Sequence, residues 1–314
     1  MCQIDKHFSQ VTDPRVNRGT NYDLVEMIFI ALTATMCGAQ GWADIERFAM
    51  VKFEWFERFI PLDKGVASHD TLGRVFARLD TADFLTAMHG WVDEFAGSQR
   101  GKRVAIDGQV VRGLYDIAAG QSPLHLMTAY ATQTRLCLRQ MSVDGKSNEI
   151  PAVPVLLQLL ELSGATVTMD ALHCQVETAQ AILDREADYL LSTKDNQPTL
   201  HQYQQEKFAR CNEEDAKLPG LVQHITRERS HGRQELRHYY TLPATTSDQN
   251  VLSRWPGLKS FTMVYRQRTT GEQESAEIAD FIKQPRPESP RRRRTYSRTL
   301  VDRGQPASRP GRDL

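Results

Sequence analysis

Arg103-Val104-Ala105-Ile106-Asp107-Gly108 and Ala165-Thr166-Val167-Thr168-Met169-Asp170 are two short apolar runs, each closing on an aspartate. Runs of this length and composition, bounded by turn-forming residues, read as buried strands. Strand ends are where an α/β sheet presents side chains to a cleft. Two carboxylates delivered there by adjacent strands supply the hard oxygen ligands that Mg²⁺ prefers. Two such ions can activate a nucleophile and stabilise the leaving oxygen of a phosphodiester. Each aspartate alone has an ordinary alternative: Asp-Gly after a strand is commonly a turn, and Asp after a strand commonly caps a helix.

Outward from these runs, Leu124–Ala131 and Leu136–Val143 read as two further strands joined by a turn. Ile150–Leu162, with Pro151 in its first turn, reads as a helix. Val176–Arg185 and Thr199–Arg210 read as helices around a strand at Tyr189–Ser192. Strands followed by helices predict an α/β core with a mixed sheet. Leu221–Arg229, Glu235–Leu242 and Leu258–Arg268 read as three strands of an antiparallel insert, about 215–275. Ahead of this core the pattern is helical. Leu24, Met27, Ile28, Ala31, Leu32 and Thr35 recur at helical spacing, as do Asp44, Ile45, Phe48 and Ala49. Ser68 and Asp70 read as a helix start, and Thr81 as the cap of a helix that turns Phe84, Met88 and Trp91 inward. Trp42, Trp55 and Trp91 are expected in the helical core. The organisation predicted is a helical domain over 1–98, an α/β domain over 99–282 and a Pro-, Arg- and Gly-rich tail over 283–314 that lacks the apolar residues to fold.

Of the 314 residues, 40% are hydrophobic and 25% charged, ordinary for a soluble globular chain. No apolar run reaches membrane-spanning length, and no secretory signal is visible, so a cytoplasmic location and no membrane partner are expected. Five scattered cysteines without a CxxC pair fit free thiols in a reducing compartment and argue against a zinc ribbon. The zero net charge hides an asymmetry: from Lys283 onward there are ten Lys and Arg against three Asp and Glu. Any contact with a polyanion must therefore come from local patches.

Further short motifs follow in order: Asp13-Pro-Arg, Gly38-Ala-Gln-Gly-Trp with Asp44-Ile-Glu, His69-Asp-Thr with Arg74, Lys146-Ser-Asn-Glu-Ile, Asp170-Ala-Leu-His-Cys-Gln, Lys194-Asp-Asn-Gln and Ser230-His-Gly-Arg. Together with Ala105-Ile-Asp-Gly, this series resembles the transposases of bacterial insertion sequences in the H-repeat-associated (Rhs-element-associated, ISAs-type) group of DDE enzymes, from about Asp13 to Phe281. The resemblance implies a ribonuclease-H-like mixed sheet with a β-strand insert, preceded by a small helical domain. It implies Mg²⁺- or Mn²⁺-dependent cleavage at transposon ends and attack of a 3′ hydroxyl on target DNA. Double-stranded DNA, as transposon ends and target, is then the partner, met by a homo-oligomer associated with the nucleoid. Asp107 and Asp170 match the family's first and second catalytic and metal-binding aspartates. Lys194, Asn196 and Gln197 follow a strand and are candidates for DNA contact, with a solvated loop as the alternative. His231 and Arg233, in a turn of the insert, are candidates for phosphate contact, with a plain hairpin loop as the alternative. The family often has Lys where this chain has Gln109, which leaves Arg112 as the nearby cation.

The third catalytic carboxylate departs from the family. A late helix bearing His-Trp, then Ile-Glu-Asn, Leu-His and Leu-Asp-Val, is expected, and no such string occurs. Glu288, Asp302 and Asp313, the acids beyond Phe281, lie outside that pattern. With suitable codons, the run from Arg294 to Asp313 shifted one base forward reads Ala-His-Ile-Arg-Ala-His-Trp-Ser-Ile-Glu-Ala-Ser-Leu-His-His-Val-Leu-Asp-Val-Thr. That string restores the segment, with the missing Glu spanning the codons of Arg303 and Gly304. The expectation is a truncation by a frameshift near Ile282–Lys283, leaving a chain with little or no cleavage activity. The alternative is a catalytically dead DNA-binding protein that inhibits or pairs with intact transposase.

Overall fold

The computed structural model describes residues 3–15, 20–111, 124–143, 149–209, 218–230, 232–271 and 273–284. Two units divide between Gly97 and Ser98. The first is helical: α1 (Gln3–Phe8), α2 (Leu24–Met36), α3 (Trp42–Val51), α4 (Phe53–Phe56), α5 (His69–Phe76) and α6 (Thr81–Ala96). Asp23 starts α2 by accepting from the N–H groups of Val25 and Glu26 at 2.8 and 3.1 Å. Asp80, not Thr81, caps α6 through Ala82 and Asp83 at 2.8 and 3.0 Å. Such caps contribute about 1 kcal/mol each by satisfying orphan donors. Ile4, Phe8, Met27, Ile28, Phe56 and Leu72 form the dry centre. Phe8 meets Phe84 and Trp91 at ring separations of 5.8 and 6.0 Å. Trp42 and Trp55 correct the expectation: at 38% and 39% exposure they sit at the rim of this core.

The second unit is a nine-stranded sheet with strands β1 (Arg103–Val111), β2 (Leu124–Ala131), β3 (Leu136–Val143), β4 (Thr166–Met169), β5 (Asp188–Thr193), β6 (Val222–Ser230), β7 (Arg233–Pro243), β8 (Ser260–Thr270) and β9 (Gln273–Lys283). The spatial order is β3-β2-β1-β4-β5-β9-β8-β7-β6. β3, β2 and β1 pair antiparallel, whereas β1, β4 and β5 run parallel. This mixed sheet is the ribonuclease-H-like arrangement. The antiparallel insert β6–β9 continues the same sheet, because β9 pairs with β5. α7 (Glu149–Gln158), α8 (Val176–Asp184) and α9 (Pro198–Ala209) make the connections.

Two strand expectations change. β1 does not end at Asp107-Gly108 but continues to Val111, so both residues are mid-strand. The insert has four strands rather than three. Its fourth, β9, opens on Gln273–Ile278, exposed on both faces, so no alternation of apolar residues marks it.

Register sorts the two faces. Residues paired across neighbouring strands share a face, and successive residues alternate. One face carries Val104, Ile106, Met127, Ala129, Val167, Met169, Tyr189, Leu191 and Ile282, all buried. Large side chains among them contribute roughly 1.5–3 kcal/mol each by leaving water. α7 and α9 attach on this face. The Glu149 carboxylate lies where a Cβ on Gly108 would point. His201 Nε2 is 3.3 Å from Asp280 Oδ2, and Thr193 Oγ1 donates to Gln204 Oε1 at 2.5 Å. The other face carries Asp107, Thr128 and Gln140 in one row.

Candidate metal centre

β1 and β4 pair at a constant offset: Arg103 with Thr166, Val104 with Val167, Ala105 with Thr168. Carried two residues further, the same offset sets Asp107 beside Asp170. Both aspartates thus follow the paired segment by the same two residues. Neither ordinary alternative holds. Asp107 lies within β1, not in a turn. Asp170 occupies the N-cap of the short 3-10 turn Ala171–His173, yet its side chain makes no capping hydrogen bond. That carboxylate is 59% exposed at the end of β4.

Polar groups surround the pair. Thr128, opposite Asp107 on β2, is buried, and its hydroxyl accepts from the Gln109 and Gln140 amides at 3.3 Å each. Glu149, at the start of α7, is 5% exposed. A helix N-terminus favours an anion there, and two imidazoles flank it: His125 Nδ1 at 3.7 Å and His173 Nε2 at 3.8 Å. His173 Nε2 is also 3.8 Å from Asp170 Oδ1. Gly108 is required here for space, since a Cβ would fall 2.6 Å from Glu149 Oε2. Gly108→Ala should therefore lower stability by about 1–3 kcal/mol through overpacking. Urea denaturation of the purified chain reads this directly, and an unchanged midpoint would show that Glu149 yields freely. Cys174 is buried, and burial pushes its thiol up to about 12, so it is no thiolate ligand at neutral pH.

The other sequence-predicted positions divide. Lys194 is exposed just past β5. The Asn196 amide donates to the carbonyl of Ala171. Gln197 Nε2 donates to the Cys174 carbonyl at 3.0 Å and to Gln175 Oε1 at 3.1 Å. These two amides brace the loop that follows Asp170. Arg233 opens β7 on the same sheet face as Asp107, its guanidinium 2.9 Å from Glu235. Glu235 is nearly buried among Arg233, Arg237, Arg266 and Arg268. Burial alone would raise its carboxyl, but the Arg237 hydrogen bond and the surrounding guanidiniums outweigh that and hold it below the ordinary value. Arg112 and His231 lie outside the described residues.

Sequence reasoning assigned no role to Glu149, His125 or Thr128. Glu149 stood within a quoted motif, but an acid ahead of an apolar helix reads as an ordinary first-turn residue. Nothing local announces that it is buried.

The donor set suits a hard divalent cation. Mg²⁺ is commonly held by one or two carboxylates together with substrate phosphate oxygens, and Asp107 and Asp170 would be those carboxylates. Among the described residues, no group of three His, Cys, Asp or Glu side chains is arranged to hold an ion. No helix among them is long and apolar enough to cross a membrane.

Comparison with known families decides the lineage. Residues 98–281 match the transposase DDE domain, and residues 6–92 match the domain associated with it. The chain belongs to the DDE transposases. Among relatives, it is 32% identical over 271 residues to YncI of Escherichia coli O157:H7, named as a candidate transposase, spanning 86% of this chain and 69% of that protein. It is 34% identical over 280 residues to an uncharacterized protein in the dhlA 3′ region of Xanthobacter autotrophicus, spanning 88% and 92%. YhhI of Escherichia coli strain K12, an H repeat-associated candidate transposase, is 30% identical over 257 residues, spanning 82% and 67%. A piggyBac transposase synaptic complex with hairpin DNA overlays at a TM-score of 0.39 and 10% identity, over 90% of this chain and 59% of that one. The DDE domain boundaries enclose both aspartates and all of the β insert but the last two residues of β9.

Proposed function

We propose that this DDE transposase is built for insertion-sequence transposition, with Asp107 and Asp170 as its catalytic, metal-binding carboxylates, and that this copy binds transposon-end DNA without cutting it. The observation that supports the proposal is the parallel register of β1 and β4, whose offset, carried two residues past its last pair, matches Asp107 with Asp170. A bound Mg²⁺ or Mn²⁺ would activate the attacking hydroxyl and stabilise the leaving oxygen. The chain's part is to hold two carboxylates on adjacent central strands, level with the end of β4, and to orient the DNA.

Orientation is served by the insert. β8 runs parallel to β5 and β1, so Arg266 and Arg268 lie past the row of Asp107, on its face of the sheet. The lateral offset is about 20 Å across four strand spacings, and the forward offset about 13 Å for Arg266 and about 20 Å for Arg268. Arg233 and Arg268, each about a third exposed, are the accessible guanidiniums of that cluster. A duplex laid across the aspartates would meet them with its phosphates. Lys194, just past β5, and Arg112 and His231 complete the proposed contacts, with Asn196 and Gln197 in the same loop. The protein acting on two ends at once would be a homo-oligomer at the nucleoid.

Inactivity follows from charge. Two carboxylates without the late Glu neutralise less of an ion's charge and leave its geometry open. A catalytically silent DNA-binding role, blocking or pairing with an intact transposase, is the reading this favours. The test is an electrophoretic mobility assay on the element's terminal DNA, run beside cleavage with Mg²⁺ or Mn²⁺. End-specific retention with uncut DNA is expected. Robust double-strand cleavage would overturn the inactivity, and equal retention of scrambled DNA would overturn end recognition.

A further inference from the structure

Glu149 touches the mounts of both aspartates. On one side its carboxylate lies against the backbone of Gly108, the residue after Asp107, closer than any Cβ would allow. On the other, its Oε2 is 3.8 Å from His173 Nε2, and that same nitrogen is 3.8 Å from Asp170 Oδ1. These separations exceed direct hydrogen bonding and lie within ion-pair range. His173 is 1% exposed, so its ring is held in place by packing and cannot swing to solvent. Its Nδ1 has no hydrogen-bond partner among the described residues, while Nε2 faces the Glu149 and Asp170 carboxylates. Glu149 Oε1 faces His125 Nδ1 at 3.7 Å on the β2 side. From the opposite flank, the Asn196 and Gln197 amides hold the carbonyls of Ala171 and Cys174. The Asp170 loop is thus pinned at both ends, and Glu149 is the group that reaches both β1 and that loop.

A buried carboxylate is costly unless something requires it. Partners of metal-binding side chains commonly orient them, and their loss lowers metal affinity about 10–100-fold. We propose that Glu149, acting through His173 and through the backbone at Gly108, is the positioning residue that fixes Asp107 and Asp170 as one cation-binding pair. The inference rests on the reading of those two aspartates as the metal carboxylates.

The test is Mn²⁺ binding to the full chain, followed by isothermal titration calorimetry and by the electron paramagnetic resonance of bound Mn²⁺. Wild type should bind, and Asp170→Asn should not. Glu149→Gln, which keeps shape and removes charge, should weaken binding about 10–100-fold while the thermal transition stays cooperative. His173→Asn should do the same. The double variant should be no weaker than the worse single one, because both act along one path. Glu177→Gln, an exposed acid on α8, should leave affinity unchanged. If Glu149→Gln unfolds, His173→Asn decides. Wild-type affinity in a folded Glu149 or His173 variant overturns the positioning role alone. Absence of Mn²⁺ binding by wild type, or binding undiminished in Asp170→Asn, overturns the metal reading beneath it.

Discussion

A chain rebuilt with the shifted reading frame from Ile282 onward should cleave its element's terminal DNA in Mg²⁺, where the present chain is expected to leave it intact. The gain expected is about 10²–10³-fold in rate, the scale on which a single charge-stabilising group acts in a transition state. The physical reason is the third carboxylate. The shifted string carries Ile-Glu on a segment long enough for a helix, and that glutamate would join Asp107 and Asp170 in neutralising the cation. Replacing this glutamate by glutamine in the rebuilt chain should return it to silence. The nucleotide sequence provides an independent check: codons from Arg294 to Asp313 that cannot produce the shifted string would refute the frameshift outright. A rebuilt chain that binds ends but never cuts would show that the defect lies elsewhere, and Gln109 beside the first aspartate would be the next position to change.

The largest loss of stability from a single change in the second unit is expected at Asp248. This aspartate is 1% exposed and lies between β7 and β8. Its Oδ1 accepts from the Tyr203 hydroxyl and from Lys207 Nζ at 2.5 Å, both on α9. Its Oδ2 accepts from the N–H and hydroxyl of Thr245 at 2.5 and 2.9 Å. One carboxylate therefore ties the insert to the helix that follows β5. Asp248→Ala strands a largely buried ammonium, and loss of one member of such a pair costs about 3–5 kcal/mol. Lys207 is 19% exposed, which places the expected value near the lower end, about 3 kcal/mol.

The pH dependence separates charge from packing. Burial alone would raise the Asp248 carboxyl, but the Lys207 and Tyr203 hydrogen bonds and those from Thr245 outweigh it and hold it below its ordinary value. A carboxyl depressed by folding stabilises above its unfolded pKa, and that contribution is lost as pH falls through the folded value. The stability difference between wild type and Asp248→Asn should thus be flat above about pH 4 and shrink below it. Asp280 works in the opposite sense, since burial raises its carboxyl. Subtracting the two unfolding curves cancels it. A difference that does not change on acidification would show that the Asp248 charge contributes nothing.

Much of the core was readable residue by residue. β2, β3 and β5, as well as the helix at Val176, are short-range patterns: apolar residues at period two or at helical spacing, closed by turn residues. Where a pattern was missing, the structure supplies the cause. β9 carries no alternation because its first six residues have solvent on both faces. β1 was cut short because Gly108 looks like punctuation, whereas its bareness makes room for Glu149. Asn196 and Gln197 were legible as loop residues but not as the braces of the Asp170 loop, because their acceptors lie more than twenty residues away.

The two strand-ending aspartates show where each source of information stops. The residues alone determined that Asp107 and Asp170 are carboxylates carried by apolar strands, that helices precede the sheet, and, through the ordered motifs, the family. Local periodicity and motif identity are properties of neighbouring residues, so they survive without a fold. Only the tertiary structure decided that the aspartates' strands pair in parallel, that the insert's arginines lie on the face of Asp107, and that Glu149 is buried between two imidazoles. Each of these depends on which strands pair and in what register, and pairing is set by burying the whole apolar face at once rather than by any single stretch of chain.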